Sequence, residues 1–586
     1  MSDNNHHAPA GGPPTEFSMP MFRSFVPEVV RPWLYVLLAF CFQFSGGIYL
    51  GAMPDVVGEH ALMREDVQMS LYATLAGMAF YFPVLFRMKF HFSNKFLLMV
   101  SAFVILCCNA LTMLDLPLPL LWTLCFLCGM AKIQGTFECM SSIQLWMTPK
   151  RDMAVFFPLL HLVLLTSIEG AGFLAAAFAF HGHWTLMHWF VMGLMLFVLA
   201  VQHFLTRPFH AMPKIIPLKG IDWQGALLWA LLALQVAYVF NYGDWLDWWN
   251  SPVVRLLTGT SLLTLVIALR RMHTATSPYF EPAMWHYPYV LPIILLIGVF
   301  EALFAAEHSL ESVYYAAVMH YSDLTQEALA QWALPGLWAG CLFSLGWLAL
   351  MRWTPYRLLA IALLAFIAYA AGFYFLLDAN LSIEQLRWPL VCRGFSYAVI
   401  SVTMMWCLAT VMSFQHFFQA LSVFNVLHMF VGGVIGGACY AYGLRYYVAD
   451  GFSRYSGAVD SVSTSARPFS FGGFMGHFVE GLTAQGIKTL YGWTLYATIV
   501  ITLFLLLWDL PAVRRRVHRV PTWPGLGMQM WRGFQRQQKL RRLRRMRWRR
   551  RNRSVGALLK TLLANPSWRG GAKRFMMKIK DTPIFI

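Results

Sequence analysis

Apolar runs of about 20 residues alternate with short polar or charged segments along most of the chain. Each run is long enough to cross a hydrocarbon core of about 30 Å as a helix, and a helix satisfies its own backbone hydrogen bonds in lipid. We therefore predict an all-α polytopic membrane protein. The predicted spans, helices 1 to 14, are Pro32–Met53, Asp66–Arg87, Phe96–Leu114, Leu120–Trp146, Met153–Phe180, Trp184–Leu205, Trp223–Tyr242, Pro252–Arg271, Tyr287–Val318, Leu329–Met351, Tyr356–Leu377, Trp388–Phe414, Ala420–Leu444 and Leu490–Leu510.

Basic residues in the short loops predict the orientation. They follow the even-numbered helices: Arg87, Lys89 and Lys95 after helix 2, Lys150 and Arg151 after helix 4, Arg207, Lys214 and Lys219 after helix 6, Arg270 and Arg271 after helix 8, and Arg352 and Arg357 after helix 10. The other side is acidic or neutral, with Asp or Glu in the loops after helices 1, 3, 7 and 11. We call the two membrane faces the basic side and the acidic side. Because Lys and Arg near helix ends stay in the cytoplasm, we expect both termini there, in a bacterial inner (plasma) membrane.

Composition excludes a soluble globular class. Of the 586 residues, 58% are hydrophobic and 12% are charged, whereas about a quarter of the residues of a soluble domain are charged. The first 31 residues contain no apolar core, so we expect no cleaved secretory signal there.

The excess positive charge belongs to one segment. Residues 511–586 contain 22 of the 45 Lys and Arg residues and one acid, Asp581, and so carry a net charge of +21, while the rest of the chain carries −3. The run Lys539–Arg553 places apolar residues among arginines at helical spacing, which favours an amphipathic helix lying on anionic lipid headgroups. Nucleic-acid binding is the alternative, but no nucleic-acid-binding fold is evident, and we expect no such partner.

Three ionisable residues lie where helices 4 and 5 should cross the bilayer. Such groups are costly in lipid and mark a pathway, a proton relay or a buried pair. At 1.5 Å per residue, Lys132 and Glu169 fall at comparable depth, so we predict a Lys–Glu pair that either responds to a proton or an anionic substrate, or statically pins the two helices. Glu138 has no partner by spacing, which indicates a position near the cytoplasmic mouth or a protonated state.

A second group of candidates lies in the last six helices. Glu301 and His308 are seven residues apart in helix 9 and so share one helix face, as a proton relay requires, since His titrates near neutrality. Alternatively, Glu307 and His308 belong to the outer interface. We interpret Arg393 in helix 12 as an anion contact or a counter-ion for one of these acids, and His428 as a helix-packing hydrogen bond.

Several local phrases resemble a known family. They are Lys132-Ile133-Gln134-Gly135 in helix 4, Glu169-Gly170-Ala171-Gly172 in helix 5, Asp222-Trp223-Gln224-Gly225 before helix 7, Arg393-Gly394 in helix 12 and the glycines 432, 433, 436 and 437 in helix 13. With fourteen helices and both ends inside, the chain resembles the fourteen-helix drug:proton antiporter branch of the major facilitator superfamily. Ser45 stands where that family usually has an acid in helix 1, so the proton carrier is not transferred.

The resemblance implies a major facilitator fold with two pseudo-symmetric six-helix halves and two additional helices, 7 and 8. It implies alternating access around a central cavity and proton-coupled export of small amphipathic or toxic compounds, with a periplasmic adaptor protein and an outer-membrane channel as partners. The expected division is a polar segment at 1–31, halves at 32–205 and 272–510, a linker with the additional helices at 206–271, an extracytoplasmic loop at 445–488 and the basic tail at 511–586.

We expect no enzyme activity, cofactor, ATP or metal, because no nucleotide-binding loop or metal-ligand spacing is evident. Two other readings stay open. One is a membrane-embedded transferase or flippase acting on lipid-linked substrates. The other is a transporter-derived scaffold that acts through its Arg-rich tail.

Overall fold

Fourteen apolar helices make up the described part of the chain. The computed structural model describes residues 19, 21–148, 152–210, 218, 221–275, 277–287, 289–377, 381–455 and 471–508; the predicted tail at 511–586 lies outside them. Thirteen described helices are long and apolar enough to span a membrane, and a shorter apolar helix precedes them. In chain order, α1 to α14 are Val30–Phe44, Arg64–His91, Asn94–Thr112, Leu118–Met147, Met153–His181, Thr185–Leu205, Trp223–Tyr242, Pro252–Thr274, Val290–Val318, Asp323–Leu350, Pro355–Leu376, Ile383–Val411, His416–Tyr455 and Met475–Leu506.

Polar side chains fix several helix starts at the membrane surfaces. The side chain of Ser93 accepts a hydrogen bond from the backbone amide of Phe96 at α3, and Asp152 accepts one from Ala154 at α5. Each such cap satisfies one of the amides that a helix start leaves unpaired.

The predicted single helix 1 is wrong in its second half. α1 ends at Phe44, and the chain leaves the helical path before a short helix, Met53–His60, continues toward the acidic side. Two successive glycines after Ser45 weaken the helix at this point. The Tyr49 hydroxyl accepts a hydrogen bond from the backbone amide of Gly46 at 3.0 Å and donates one to the side-chain oxygen of Asn109 at 3.0 Å. Backbone outside a helix at membrane depth needs hydrogen-bond partners within the protein, and Tyr49 provides one here.

The predicted extracytoplasmic loop at 445–488 is also largely helical. α13 continues to Tyr455, and a helix is present again from Phe471 to Trp508. Composition rich in Gly and Ser argued for a loop, but the two helices pack on each other beyond the predicted spans: Gly451 faces Leu482 and Gly486 faces Leu444. Tertiary packing therefore overrides low helix propensity here.

Glycines bring two pairs of helices into close contact, one pair in each half. In the first half, a Cβ at Gly129 of α4 would overlap the Thr74 carbonyl of α2, and a Cβ at Gly77 would overlap the Phe126 carbonyl. Small residues of this kind let helix backbones approach closely in membranes.

The second half repeats the arrangement between α10 and α12. Gly394 faces the carbonyl of Ala333, and Gly336 faces that of Val391. On every helix of both crossings, the glycine lies three positions after the residue whose carbonyl is contacted.

The two halves meet along two lines of helix contact. α2 packs on α13, and α5 packs on α10 and α12. On the basic side, the Ser422 hydroxyl of α13 donates to the Ala79 carbonyl of α2 at 2.7 Å. The additional helices α7 and α8 pack on each other, and α7 packs on α2.

The segment that leads from α8 into the second half is anchored at the same boundary. Tyr279 in this segment donates to the Phe80 carbonyl of α2 at 2.5 Å. The amide of Glu281 donates to Gln419 of α13 at 3.3 Å. The connector therefore contacts both halves on the basic side.

Candidate functional site

Arg393 lies in a buried cluster of acids on the inner face of the second half. It is about 15 Å from the acidic-side end of α12. Its guanidinium pairs with Glu311 at 2.7 Å and with Glu307 at 3.1 Å, both on α9. The side chains of Arg393 and Glu311 are 4% and 5% exposed. These charge-assisted hydrogen bonds are therefore shielded from bulk water and strong.

Tyrosines from two further helices complete the cluster. Tyr369 of α11 donates to Glu311, and its hydroxyl lies 3.0 Å from that of Tyr491 on α14. Both acids lie on a π-helical segment of α9, Glu307–Glu311. Such segments inside α-helices are frequent at functional sites.

Glu169 approaches this cluster from the first half. Because α5 packs on α10 and α12, the Glu169 carboxylate interacts electrostatically with Arg393, Glu307 and Glu327. The side-chain amide of Gln331 on α10 donates to the carbonyl oxygen of Glu169 at 2.9 Å, which fixes α5 against the second half. The cluster thus contains one cation and several carboxylates drawn from both halves.

The predicted pair between Lys132 and Glu169 is not formed. The two residues lie at similar depth, but α4 packs on α1, α2 and α3, whereas α5 turns toward α10 and α12. Within the described ranges, Lys132 makes no hydrogen bond or ion pair, and its one electrostatic neighbour is the Cys128 thiol one turn away.

Glu138 has a partner that spacing could not reveal. Its side chain is 1% exposed. Lys89, at the basic-side end of α2, lies 3.1 Å from Oε2 of Glu138, and the Asn94 amide donates to the same oxygen at 2.9 Å. Asn94 in turn accepts from the hydroxyl of Tyr35 at 2.7 Å. The network joins α1, α2, α3 and α4 near the basic side, the region where the sequence placed Glu138.

Glu301 pairs with His428 of α13, so the predicted helix-packing hydrogen bond of His428 is present and its partner is an acid. Nδ1 of His428 lies 2.9 Å from Oε2 of Glu301. The Glu301 side chain is 8% exposed, whereas 39% of the His428 side chain is accessible although it lies deep in the bundle. His428 therefore borders internal space. The predicted partner, His308, has a side chain outside the described part of the chain.

Sequence reasoning missed Glu311, Tyr369 and Tyr491 as members of the site. One signal was present: Glu307 and Glu311 are four residues apart in an apolar helix, which places two acids on one helix face. For His428 the signal was depth, because Glu301 and His428 both lie about 17–18 Å from the basic-side ends of their helices. Nothing in the sequence pointed to the tyrosines.

Solved transporter structures share the fold. Tetrameric PepTSo2 aligns with a TM-score of 0.51 and 14% identity, over 83% of this chain and 99% of that chain. A structure described under substrate recognition in proton dependent oligopeptide transporters aligns with a TM-score of 0.50 and 14% identity, over 83% and 100%. No protein-family profile matches this sequence, and no curated protein matches it.

At these identities the likeness establishes the fold. The described helices adopt the major facilitator fold, so the predicted all-α polytopic class is confirmed. The structural similarity does not support the assignment to the predicted drug:proton antiporter branch.

Proposed function

We propose that this chain of major facilitator fold is a secondary active transporter that couples proton movement to the export of small amphipathic compounds by alternating access. The Arg393 cluster is the observation that carries the proposal. A transporter of this kind needs a proton-binding group whose charge affects contacts between its halves. Arg393 lies buried among acids of its own half and interacts with Glu169 of the other.

Charge counting explains why this cluster suits a proton. One guanidinium faces Glu307, Glu311 and Glu169, so full ionisation would leave two uncompensated negative charges in the bilayer interior. Buried uncompensated charge is costly, and interacting carboxylates in such a site share protons as a unit. Proton binding or release there changes the attraction between Glu169 and Arg393, and hence between α5 and α12.

The Glu301–His428 pair supplies a second acid–base group at mid-depth. His428 touches internal space, whereas Glu301 is enclosed. A partly accessible imidazole against a buried carboxylate is suited to passing protons inward from the cavity. Both groups lie in the second half, on α13 and α9.

The proposal also includes the more detailed predictions made from the sequence. Export, drug-like substrates and antiport follow from the family resemblance. The bacterial inner membrane with both termini cytoplasmic follows from the loop charges, and contact of the basic tail with anionic lipid follows from its composition. A periplasmic adaptor and an outer-membrane channel are the proposed partners.

Proton movement in proteoliposomes tests the proposal. The unmodified protein, Glu311→Gln, Glu169→Gln and Glu301→Gln are reconstituted, and lumenal pH is followed after addition of lipophilic cations, weak acids or fatty-acid-like compounds. The matched control is Glu384→Gln, an exposed acid on the same helix as Arg393. We expect a compound-dependent proton flux that Glu311→Gln lowers at least tenfold and Glu384→Gln leaves unchanged.

Two results would redirect the proposal. Transport that persists without proton movement in all variants would indicate a uniporter or a flippase. Function that survives all three buried substitutions but is lost on deletion of residues 511–586 would favour the scaffold reading.

A further inference from the structure

Lys132 lies near the middle of α4, and no acid among the described residues pairs with it. It is 14 residues from the acidic-side end of α4 and 15 from the basic-side end, about 21 Å from either. In the described part of the chain it forms no hydrogen bond or ion pair. Its side chain lies deep in the bundle yet is not sealed from solvent, so it borders internal space.

Three other charged groups at membrane depth have ion-pair partners within the protein. Glu138 is paired with Lys89, Glu301 with His428, and Arg393 with two acids. Keeping a cation without a partner in the bilayer interior is costly. Lys132 therefore lacks the oppositely charged neighbour that these three groups have. A ligand with a negative charge could supply one.

Lys132 lies close to the break in the first helix. α4 runs against the broken first helix: Gln43 donates to Thr136 at 3.0 Å, and Gly135 lies against the ring of Phe42. These contacts place Lys132 level with the end of α1 at Phe44. Broken helices at the midplane are where secondary transporters bind their substrates.

We infer that Lys132 binds the anionic group of the transported compound, and that the substrate class is organic acids: a carboxylate or sulfonate on an apolar body. This inference rests on the proposed function and narrows it, because lipophilic cations would meet Lys132 as a like charge. In the bound state the anion compensates Lys132 in a low-dielectric site, where a charge-assisted hydrogen bond is strong. In the empty state the ammonium remains hydrated by cavity water.

Ligand binding to the purified full-length protein in detergent tests the inference separately from transport. The probes are naphthalene derivatives that share one apolar body: 2-naphthoate, 2-naphthalenesulfonate, neutral 2-naphthamide and a cationic naphthylmethylammonium. Affinities are measured for the unmodified protein, Lys132→Gln, Lys132→Arg and the control Lys488→Gln, a lysine that stacks on Tyr374 far along the chain. Thermal unfolding midpoints show that each variant is folded.

The expected result is selective binding of the carboxylate and sulfonate, weakened at least tenfold by Lys132→Gln, retained by Lys132→Arg and unchanged by Lys488→Gln. Preference for the ammonium or the amide, no binding of either acid, or equal acid affinity in Lys132→Gln would overturn the inference. Loss of proton-coupled transport with acid binding intact would count against the proposed function alone. Lys132→Met gives a readout that needs no ligand: removal of an uncompensated cation should raise the unfolding midpoint, and a lower midpoint would contradict the absence of a protein partner.

Discussion

Substituting alanine at the glycine crossings should destabilise the protein because two backbones meet there. At Gly129 of α4, an added Cβ would overlap the carbonyl oxygen of Thr74 and lie 2.9 Å from its carbonyl carbon; Gly394 of α12 meets the carbonyl carbon of Ala333 at the same 2.9 Å. Cβ atoms essentially never come closer than 3.0 Å to another heavy atom. The backbone cannot rotate aside as a flexible side chain could, so each helix pair must separate by about 1 Å, and packing near native density is lost.

The expected loss is about 1–3 kcal/mol for Gly129→Ala and for Gly394→Ala, the typical range for overpacked sites. The matched controls are Gly193→Ala in α6 and Gly259→Ala in α8, because nothing lies within 4 Å of a Cβ at either position. There alanine should be neutral or stabilise by up to about 1 kcal/mol through helix propensity. Titration with SDS from mixed micelles measures the free energies of unfolding. If Gly129→Ala proves as stable as Gly193→Ala, the close crossing does not exist.

Three further predictions concern residues outside these crossings. Lys89→Met leaves Glu138 buried without its counter-ion and should cost about 3–5 kcal/mol of unfolding free energy; an unchanged SDS midpoint would contradict the ion pair. Tyr279→Phe removes the hydrogen bond to α2 and should cost about 1 kcal/mol, whereas Tyr289→Phe, at an exposed position, should change the same titration little. Burial opposes ionisation of Asp222. Hydrogen bonds from Arg271 and from the backbone amides of Gly225 and Tyr279 outweigh this effect and lower the pKa of Asp222 below 3.8. This stabilisation is present above about pH 4 and lost as the pH falls through the lowered pKa, so Asp222→Asn should lower the thermal midpoint more at pH 7 than at pH 3.

Hydropathy predicted the helices well because the bilayer imposes one strong rule on every span. Thirteen predicted spans correspond to long apolar helices. The failures have local causes. Ser45 and the two glycines after it break the first helix, a signal the sequence displays but an apolar window ignores. The sequence near Arg445 and Lys488 has low helix propensity and therefore predicts a loop. The packing of α13 on α14, which propensity does not take into account, stabilises helices there.

Partners within the candidate site were harder to predict than positions. Depth along a helix follows from counting residues, and such counting left Glu138 either near the cytoplasmic mouth or protonated. Which faces meet depends on helix packing, which one sequence does not encode in a readable pattern. For that reason Lys132 was matched with Glu169, and the pairing of Glu301 with His428 was missed.

The paired glycine crossings also provide a register in which the two halves can be compared residue by residue. Thr74, Gly77, Phe126 and Gly129 in the first half correspond to Ala333, Gly336, Val391 and Gly394 in the second, with constant offsets of 259 for the first helix of each pair and 265 for the second. The second offset places Cys128 opposite Arg393, and Lys132 opposite Tyr397. The backbone contact is thus present in both halves, whereas these ionisable residues are not matched, so each half carries a charge that its counterpart lacks. In the functions proposed above, the first half would use its unmatched charge to hold a ligand, and the second half would use its own to hold protons.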